Sequence, residues 1–338
     1  MKKMLALLLS AVVLVSACTN NNNATQDTTP VDDTPAVEVP DEPSYDEPPG
    51  DEPPSDEQLN GSAADGTGTI GFSISTLDHP FFVGMDEGAR AAQAQLGVDL
   101  VIVDAQNDTA KQASDIEDLM ALGIEVLIVN PVDSAAVAPT IRDVMDAGIP
   151  VIAVDRWVDG VDVDVYIGTD NFEAAQMKAE HFISLVGEGA SIAILEGTPG
   201  ASSAIDRLAG FLDIAEDRLD IVASQTANFA RVDGMDVAEN ILTAHPDIQA
   251  IVAMNDEMAL GAIEAAFGAG RTPGVDIYIT GFDATDDARV AVADGTMLFT
   301  VEQQNVGMGF EGVETALGIM QGEMFPTNIP VDVAMIDE

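Results

Sequence analysis

The sequence predicts an α/β protein built from two similar, doubly wound parallel sheets. Three observations point there. From Gly68 onward, short apolar runs alternate with segments of helical spacing. Runs such as Val126–Val129 and Val151–Val154 are apolar throughout, as strands covered on both faces must be. Several runs end in polar groups, namely Ser75, Asn130, Asp155-Arg156, Asn255-Asp256 and Phe282-Asp283, where open parallel sheets keep their ligand crevices.

The first strand is Ile70 to Ile74, whose large residues alternate with small ones. A polar stretch, Pro80 and the adjacent Phe81 and Phe82 lead into a helical run from Gly84 to Gly97. Rings in a solvated loop are costly. Either one ring is core and the other staples the helix start, or both flank a flat ligand such as a sugar. Val98 to Val103 is the second strand. Thr109 to Leu122 is a helix, with Ile116, Leu119 and Met120 on one stripe, and Val126 to Val129 is the third strand. Ala135 to Ala147 reads as a helix ended by Gly148 and Pro150. Val151 to Val154 and Val163 to Ile167 are the fourth and fifth strands. The pattern then restarts with helix Glu173 to Val186, strand Ser191 to Leu195, helix Ala204 to Glu216 and strand Ile221 to Ser224. Helix Val232 to Ala244, strand Ala250 to Ala253, helix Met258 to Ala269 and strand Val275 to Thr280 complete the second set.

At 338 residues and 47% hydrophobic content the chain has material for two lobes with real cores. The net charge of −47, from 59 acidic and 12 basic residues, excludes a general nucleic-acid binder. It also excludes charge-driven adsorption to anionic lipid. Setting aside the 12 acids of residues 27–57 together with Lys2 and Lys3 leaves 47 acids against 10 bases, still −37. Such an acidic, lysine-poor surface is similar to that of proteins from salt-rich habitats, where carboxylates hold water.

Residues 1–17 read as a signal peptide: Lys2 and Lys3, then an apolar run from Met4 to Val15. Val15-Ser16-Ala17-Cys18 resembles the bacterial lipobox, which implies cleavage before Cys18 and a lipid on its thiol. Cys18 is the only cysteine, so no intrachain disulfide exists. Residues 18–65 form an acidic, proline-rich linker with too few apolar residues to offset chain entropy. The expected location is extracytoplasmic, with the protein tethered to the membrane by lipid.

Taken singly, the polar strand ends have dull explanations. Asn130 before Pro131 suits a turn, and Asn255, Asp256 or Asp283 suits a helix cap. Together they supply carboxylates, amides and arginine forks, the groups that pair with vicinal hydroxyls.

The ordered series STLDHPFF, NPVDSAAV, IPVIAVDR, ASQTANFARVDG, LTAHPDIQAIVAMNDEMALGA and ITGFDAT closely resembles the periplasmic ribose-binding protein family, the type I sugar-binding components of ABC importers. The resemblance runs from Ile70 to about Asp337. It implies two lobes closing on a monosaccharide, ribose or a related pentose or hexose, with three hinge crossings near Thr169-Asp170, Gln303-Gln304 and Asp332-Val333. The lobes are then 66–169 plus 304–332 and 170–303 plus 333–338. By the same resemblance Ser75, His79, Phe81, Phe82, Asn130, Asp155 and Arg156 of the first lobe hold the ligand, with Arg207, Phe229, Asn255, Asp283 and Gln303 from the second lobe and hinge. The ribose pattern has Asn immediately before Pro-Phe-Phe, where this chain has His79. That exchange is expected to bring titration near neutral pH into the site. Trp157, the only tryptophan, follows Arg156 on the cleft side, so lobe closure should alter its surroundings.

The resemblance implies a monomer that hands sugar to an ABC permease, or presents it to a chemoreceptor or sensor kinase, with no cofactor and no metal. The rival class is an exported sugar- or nucleoside-processing enzyme. His79, His181 and His245 are scattered without HExxH spacing, and neither a GxSxG elbow nor a GxxxxGK[ST] loop occurs. Asp155 and Asp283 form a conceivable glycosidase pair, but the resemblance assigns both to binding.

Overall fold

The computed structural model describes residues 68–337. The signal peptide, Cys18 and the linker lie outside the described residues. The first sheet contains β1 (Thr69–Ile74), β2 (Asp99–Asp104), β3 (Val126–Val129), β4 (Val151–Val154), β5 (Val165–Gly168) and β11 (Asn328–Pro330). Its order is β11-β5-β4-β3-β1-β2, parallel at every pair. The second sheet has order β7-β6-β8-β9, also parallel, from β6 (Ser191–Glu196), β7 (Asp220–Thr226), β8 (Ala250–Ala253) and β9 (Tyr278–Thr280). β10 (Thr300–Glu302) pairs antiparallel with β12 (Ala334–Ile336) and bridges the end of β9 through Thr280–Phe299 and Asp283–Glu302.

These pairings define two lobes and three crossings between them. The chain leaves the first sheet after Gly168 into α4 (Asn171–Val186) and returns from β10 into α9 (Asn305–Met320). It leaves again from β11 to β12. Successive strand residues serve opposite faces of the first sheet. Ile128 packs with Phe72, Phe81, Phe82 and Met308, whereas Leu127 and Val129 pack with Ile116, Ile141 and Val144. That two-sided burial is why VLIV carries no polar residue. In the second lobe α4 packs on α5 (Ser202–Ala215), and α6 (Arg231–Ala244) on α7 (Asp256–Gly268).

Several element limits differ from expectation. α1 (Pro80–Leu96) starts four residues early, so Phe81 and Phe82 lie in its first turn and not in a loop. Proline at the first helical position costs nothing, because that N–H lacks an intrahelical partner anyway. α3 (Ala138–Asp146) is shorter than 135–147, and β5 begins at Val165. Residues 275–277 precede β9 and do not belong to it; Val275 is exposed. Downstream of Thr280 the alternation signals no element, yet α8 (Asp286–Ala293), β10, α9, β11 and β12 are there. α9 holds Gly307, Gly309, Gly312 and Gly318, which read as breakers. At the α1–α9 contact the reason is proximity: a Cβ on Gly309 would lie 1.9 Å from the Met85 carbonyl oxygen, and one on Gly88 of α1 2.0 Å from that of Val306. No helix among the described residues is long and apolar enough to cross a membrane.

Candidate functional site

The carboxyl ends of β1, β4, β8 and β9 converge between the lobes. There His79, Phe81, Phe82, Asp155, Arg156, Ser203, Arg207, Phe229, Asn255 and Asp283 enclose a chamber. About 240 Å³ of empty space lies between them. Nine of the twelve residues expected at the site line it. The other three stand behind them. Asn130 donates from Nδ2 to Asp155 Oδ2 at 3.1 Å and accepts the Ser75 N–H at 3.3 Å on Oδ1. Gln303 donates to Asp283 Oδ1 at 2.8 Å. Asn130 and Gln303 therefore orient the carboxylates, Ser75 meets Asn130 through its backbone N–H alone, and none of the three lines the chamber.

The arginines are held by backbone. Arg156 Nη1 donates to the Pro131 carbonyl at 2.9 Å, its Nε lies 3.6 Å from Asp155 Oδ2, and its guanidinium faces Phe82 at 5.1 Å. Arg207 donates to Asn171 Oδ1 (2.7 Å), the Met254 carbonyl (2.9 Å) and Asp283 Oδ1 (3.4 Å). It also stacks 3.8 Å from the Phe282 ring centroid. Phe81 and Phe82 meet edge to face at 5.3 Å and are both buried, so each serves the core of α1 and the chamber wall together. Three lining residues hold backbone that side chains avoid: Asp155 (φ 62), Phe229 (φ 58) and Asp283 (φ 119). Such conformations cost of order 1–3 kcal/mol each and concentrate at functional sites.

Burial pushes Asp155 up despite Arg156, and pushes Asp283 up to about 8 despite Arg207. A buried carboxylate and its arginine only partly compensate each other's lost hydration, and additional hydrogen-bond donors complete the shell.

His79 departs from expectation. It caps α1, its Nδ1 accepting the Phe81 N–H at 3.1 Å, while its Nε2 lies 2.8 Å from Asn255 Nδ2 on the opposite lobe. Asn255 is held by the Met258 N–H on Oδ1 and the Phe229 carbonyl on Nδ2, and so also caps α7. A neutral imidazole has one acceptor nitrogen, so it serves one of these two donors at a time. Burial, with Arg156 and Arg207 nearby, pushes His79 down to about 3. The expected titration near neutral pH is thus corrected: the ring stays uncharged there.

Residues that sequence reasoning missed complete the arrangement. Ser203 lies one helical turn before Arg207 on α5, a spacing that could have flagged it. Between the lobes, the Trp157 N–H reaches Ser202 Oγ (3.1 Å) and its indole Nε1–H reaches Asp206 Oδ2 (2.9 Å). The Ser134 N–H meets the Gly200 carbonyl at 2.9 Å, and Ser134 Oγ accepts the Ser202 N–H at 3.2 Å. A wider groove lies beside the 302–305 crossing and is bordered by Pro80, Val83, Asp286, Arg289 and Val306. It carries the Arg289–Glu302 ion pair but none of the buried rings of the chamber.

Residues 70–324 match the family described as periplasmic binding protein domain. The chain is 42% identical over 255 residues to the ribose import binding protein of Bacillus subtilis, covering 75% of this chain and 82% of that one. It is 39% identical over 269 residues to the ribose import binding protein of Escherichia coli, covering 79% and 90%. Among solved structures, the Caulobacter myo-inositol binding protein bound to myo-inositol superposes with a TM-score of 0.77 at 31% identity, covering 81% of this chain and 94% of its own. An Actinobacillus succinogenes ABC transporter periplasmic solute-binding protein with bound D-allose gives 0.75 at 31% identity, covering 80% and 98%.

Proposed function

The chain belongs to the periplasmic binding proteins that serve as sugar-binding components of ABC importers, a family of binders and not of enzymes, and on that premise we propose that it captures a monosaccharide between its lobes and delivers it to an ABC permease. One observation carries the reading. The chamber alternates phenylalanine rings with buried carboxylates and arginine forks. Rings cover the apolar faces of a pyranose or furanose, and Asp155 and Asp283 accept from hydroxyls while Arg156 and Arg207 donate to ring and hydroxyl oxygens. The walls of the chamber come from both lobes and are mostly buried, so sugar enters when the lobes part. Binding then favours the closed arrangement, which the permease reads.

The ligand in this reading is ribose or a related pentose or hexose, and the binder is a monomer. His79, in place of the asparagine of the ribose pattern, shifts preference away from ribose itself. The segment ending in Cys18 supports acylation and a lipid tether on the outer side of the membrane. Cys18→Ser should then release the protein from membranes into the soluble fraction.

A thermal-shift screen against monosaccharides tests the reading, because a ligand that binds only the folded state raises the midpoint. At 100-fold excess over Kd the gain is about 2.7 kcal/mol. At least one pentose or hexose should produce it, and a disaccharide should not. A panel in which no monosaccharide moves the midpoint contradicts the proposal.

A further inference from the structure

The tip of the Phe229 ring rests on a glycine that the sugar contacts do not explain. Gly197 is buried and directly follows β6, an interior strand of the second sheet. A Cβ there would lie 2.1 Å from Cζ, 2.3 Å from Cε1 and 2.6 Å from Cε2 of Phe229. Carbon atoms in ordinary contact stand about 3.5–4.0 Å apart. Gly197 is not among the glycines with left-handed backbone, so the position requires the missing side chain and not a special φ. Elsewhere the obstacle is of another kind. At Gly88, Gly210, Gly234, Gly261 and Gly309 an added Cβ would strike the backbone of a packed helix. Among the described glycines, Gly197 is the one whose added Cβ would have its nearest contacts on a residue lining the chamber.

We propose that Gly197 is a positioning residue of the sugar site, whose missing side chain seats the tip of the Phe229 ring and so keeps the chamber wide enough for a sugar ring. The inference rests on the monosaccharide reading and deepens it. The backbone around the seat is stitched together. Thr226 Oγ1 donates to the Gly197 carbonyl at 2.8 Å, and the Ala227 N–H to the Glu196 carbonyl at 2.9 Å. Thr198 Oγ1 donates to the Asn228 carbonyl at 2.9 Å, and Asn255 Nδ2 to the Phe229 carbonyl at 3.1 Å. With strand end and loop held this way, a methyl at position 197 moves the ring before it moves either backbone. Its tip must retreat roughly 1.5 Å to reach ordinary carbon contact. Phe229 belongs to the core of the second lobe, and close-packed cores have little room to receive a displaced ring. The empty space it borders is the chamber. The guanidinium carbons of Arg156 and Arg207 stand 5.9 Å and 5.7 Å from the ring centroid, so a swinging ring also disturbs both forks.

The test sets the full-length wild type beside Gly197→Ala, Phe229→Leu and the double variant. Calorimetry uses the monosaccharide that raises the wild-type midpoint most. Gly197→Ala should fold and should bind about tenfold or more weakly. Leucine lacks the ring atoms that meet position 197, so the double variant should bind within about threefold of Phe229→Leu. Where leucine alone abolishes binding, sugar-free unfolding midpoints read the same cycle. Gly197→Ala should then lower the midpoint of the wild type and leave that of Phe229→Leu unchanged. A Gly197→Ala protein with wild-type affinity overturns the inference. So does a loss that is as large in the Phe229→Leu background as in the wild type, the mark of a glycine needed by the strand end alone. If Gly197→Ala does not fold, the double variant decides: folding like Phe229→Leu supports the seat, and failure to fold overturns it. A wild type that binds no monosaccharide removes the sugar reading and this inference with it.

Discussion

At the scale of single residues, the chamber works by leaving hydrogen-bonding capacity on groups that burial would otherwise silence. Asp283→Ala and Arg156→Ala should each weaken sugar binding by about 2–5 kcal/mol while the protein still folds, since each leaves a buried partner unpaired. Calorimetry of the two variants checks this, and near-wild-type affinity in both would remove them from the site. His79 supports a second expectation. Its pKa in the folded protein, about 3, lies below the unfolded value near 6.5, so the unfolded chain binds the extra proton. Its contribution to stability is present above pH 6.5 and is lost as pH falls from 6.5 toward 3, by about 1.4 kcal/mol per unit. Urea titrations of wild type and His79→Asn should therefore converge at that rate between pH 6 and pH 4, while the affinity of the wild type carries no histidine step between pH 5 and 8. The residue types of this site were legible in the sequence because carboxylates, amides and arginines recur together at the ends of successive apolar strands, although each alone suits a turn or a cap. The roles of Asn130 and Gln303 as supports were not, because an amide reads alike whether it faces a ligand or a neighbouring carboxylate. The left-handed backbone at Asp155, Phe229 and Asp283 was hidden too, since nothing about these residue types asks for it.

At the scale of elements, strand cores such as VLIV and VIAV were plain because two-sided burial permits nothing else. The helix that closes the first lobe was opaque, because α9 uses glycine where propensity wants alanine. Gly309, with Gly88 opposite, lets the α9 backbone touch that of α1, the helix whose first turn carries Phe81 and Phe82. Gly309→Ala must push α9 away from the Met85 carbonyl and should cost about 1–3 kcal/mol. Gly307→Ala meets nothing nearer than Gln304 Cβ at 3.5 Å and should instead stabilise by about 0.5–1 kcal/mol. Denaturant midpoints of the pair test the account. A neutral Gly309→Ala would mean the helices have room to spare.

At the scale of the whole molecule, three crossings join lobes that touch through few side chains. Among those contacts are His79 with Asn255, Trp157 with Ser202 and Asp206, and Ser134 with Gly200 and Ser202. The arrangement suits a molecule that must open and shut, since each contact is one hydrogen bond deep and worth about 1 kcal/mol. Ligand binding supplies the remainder, and the lobe positions follow from it. Trp157 sits on this seam, half-buried, with its indole N–H on a carboxylate of the opposite lobe. Because it is the chain's only tryptophan, its emission reports the seam without further labelling. The decisive measurement is a fluorescence titration of the wild type with a monosaccharide, run beside Asp283→Ala. The account predicts a saturable shift in Trp157 emission at the calorimetric affinity, absent in Asp283→Ala, whose altered residue lies on the other lobe. Sugar binding by calorimetry with unchanged Trp157 emission would contradict capture by closure of the two lobes.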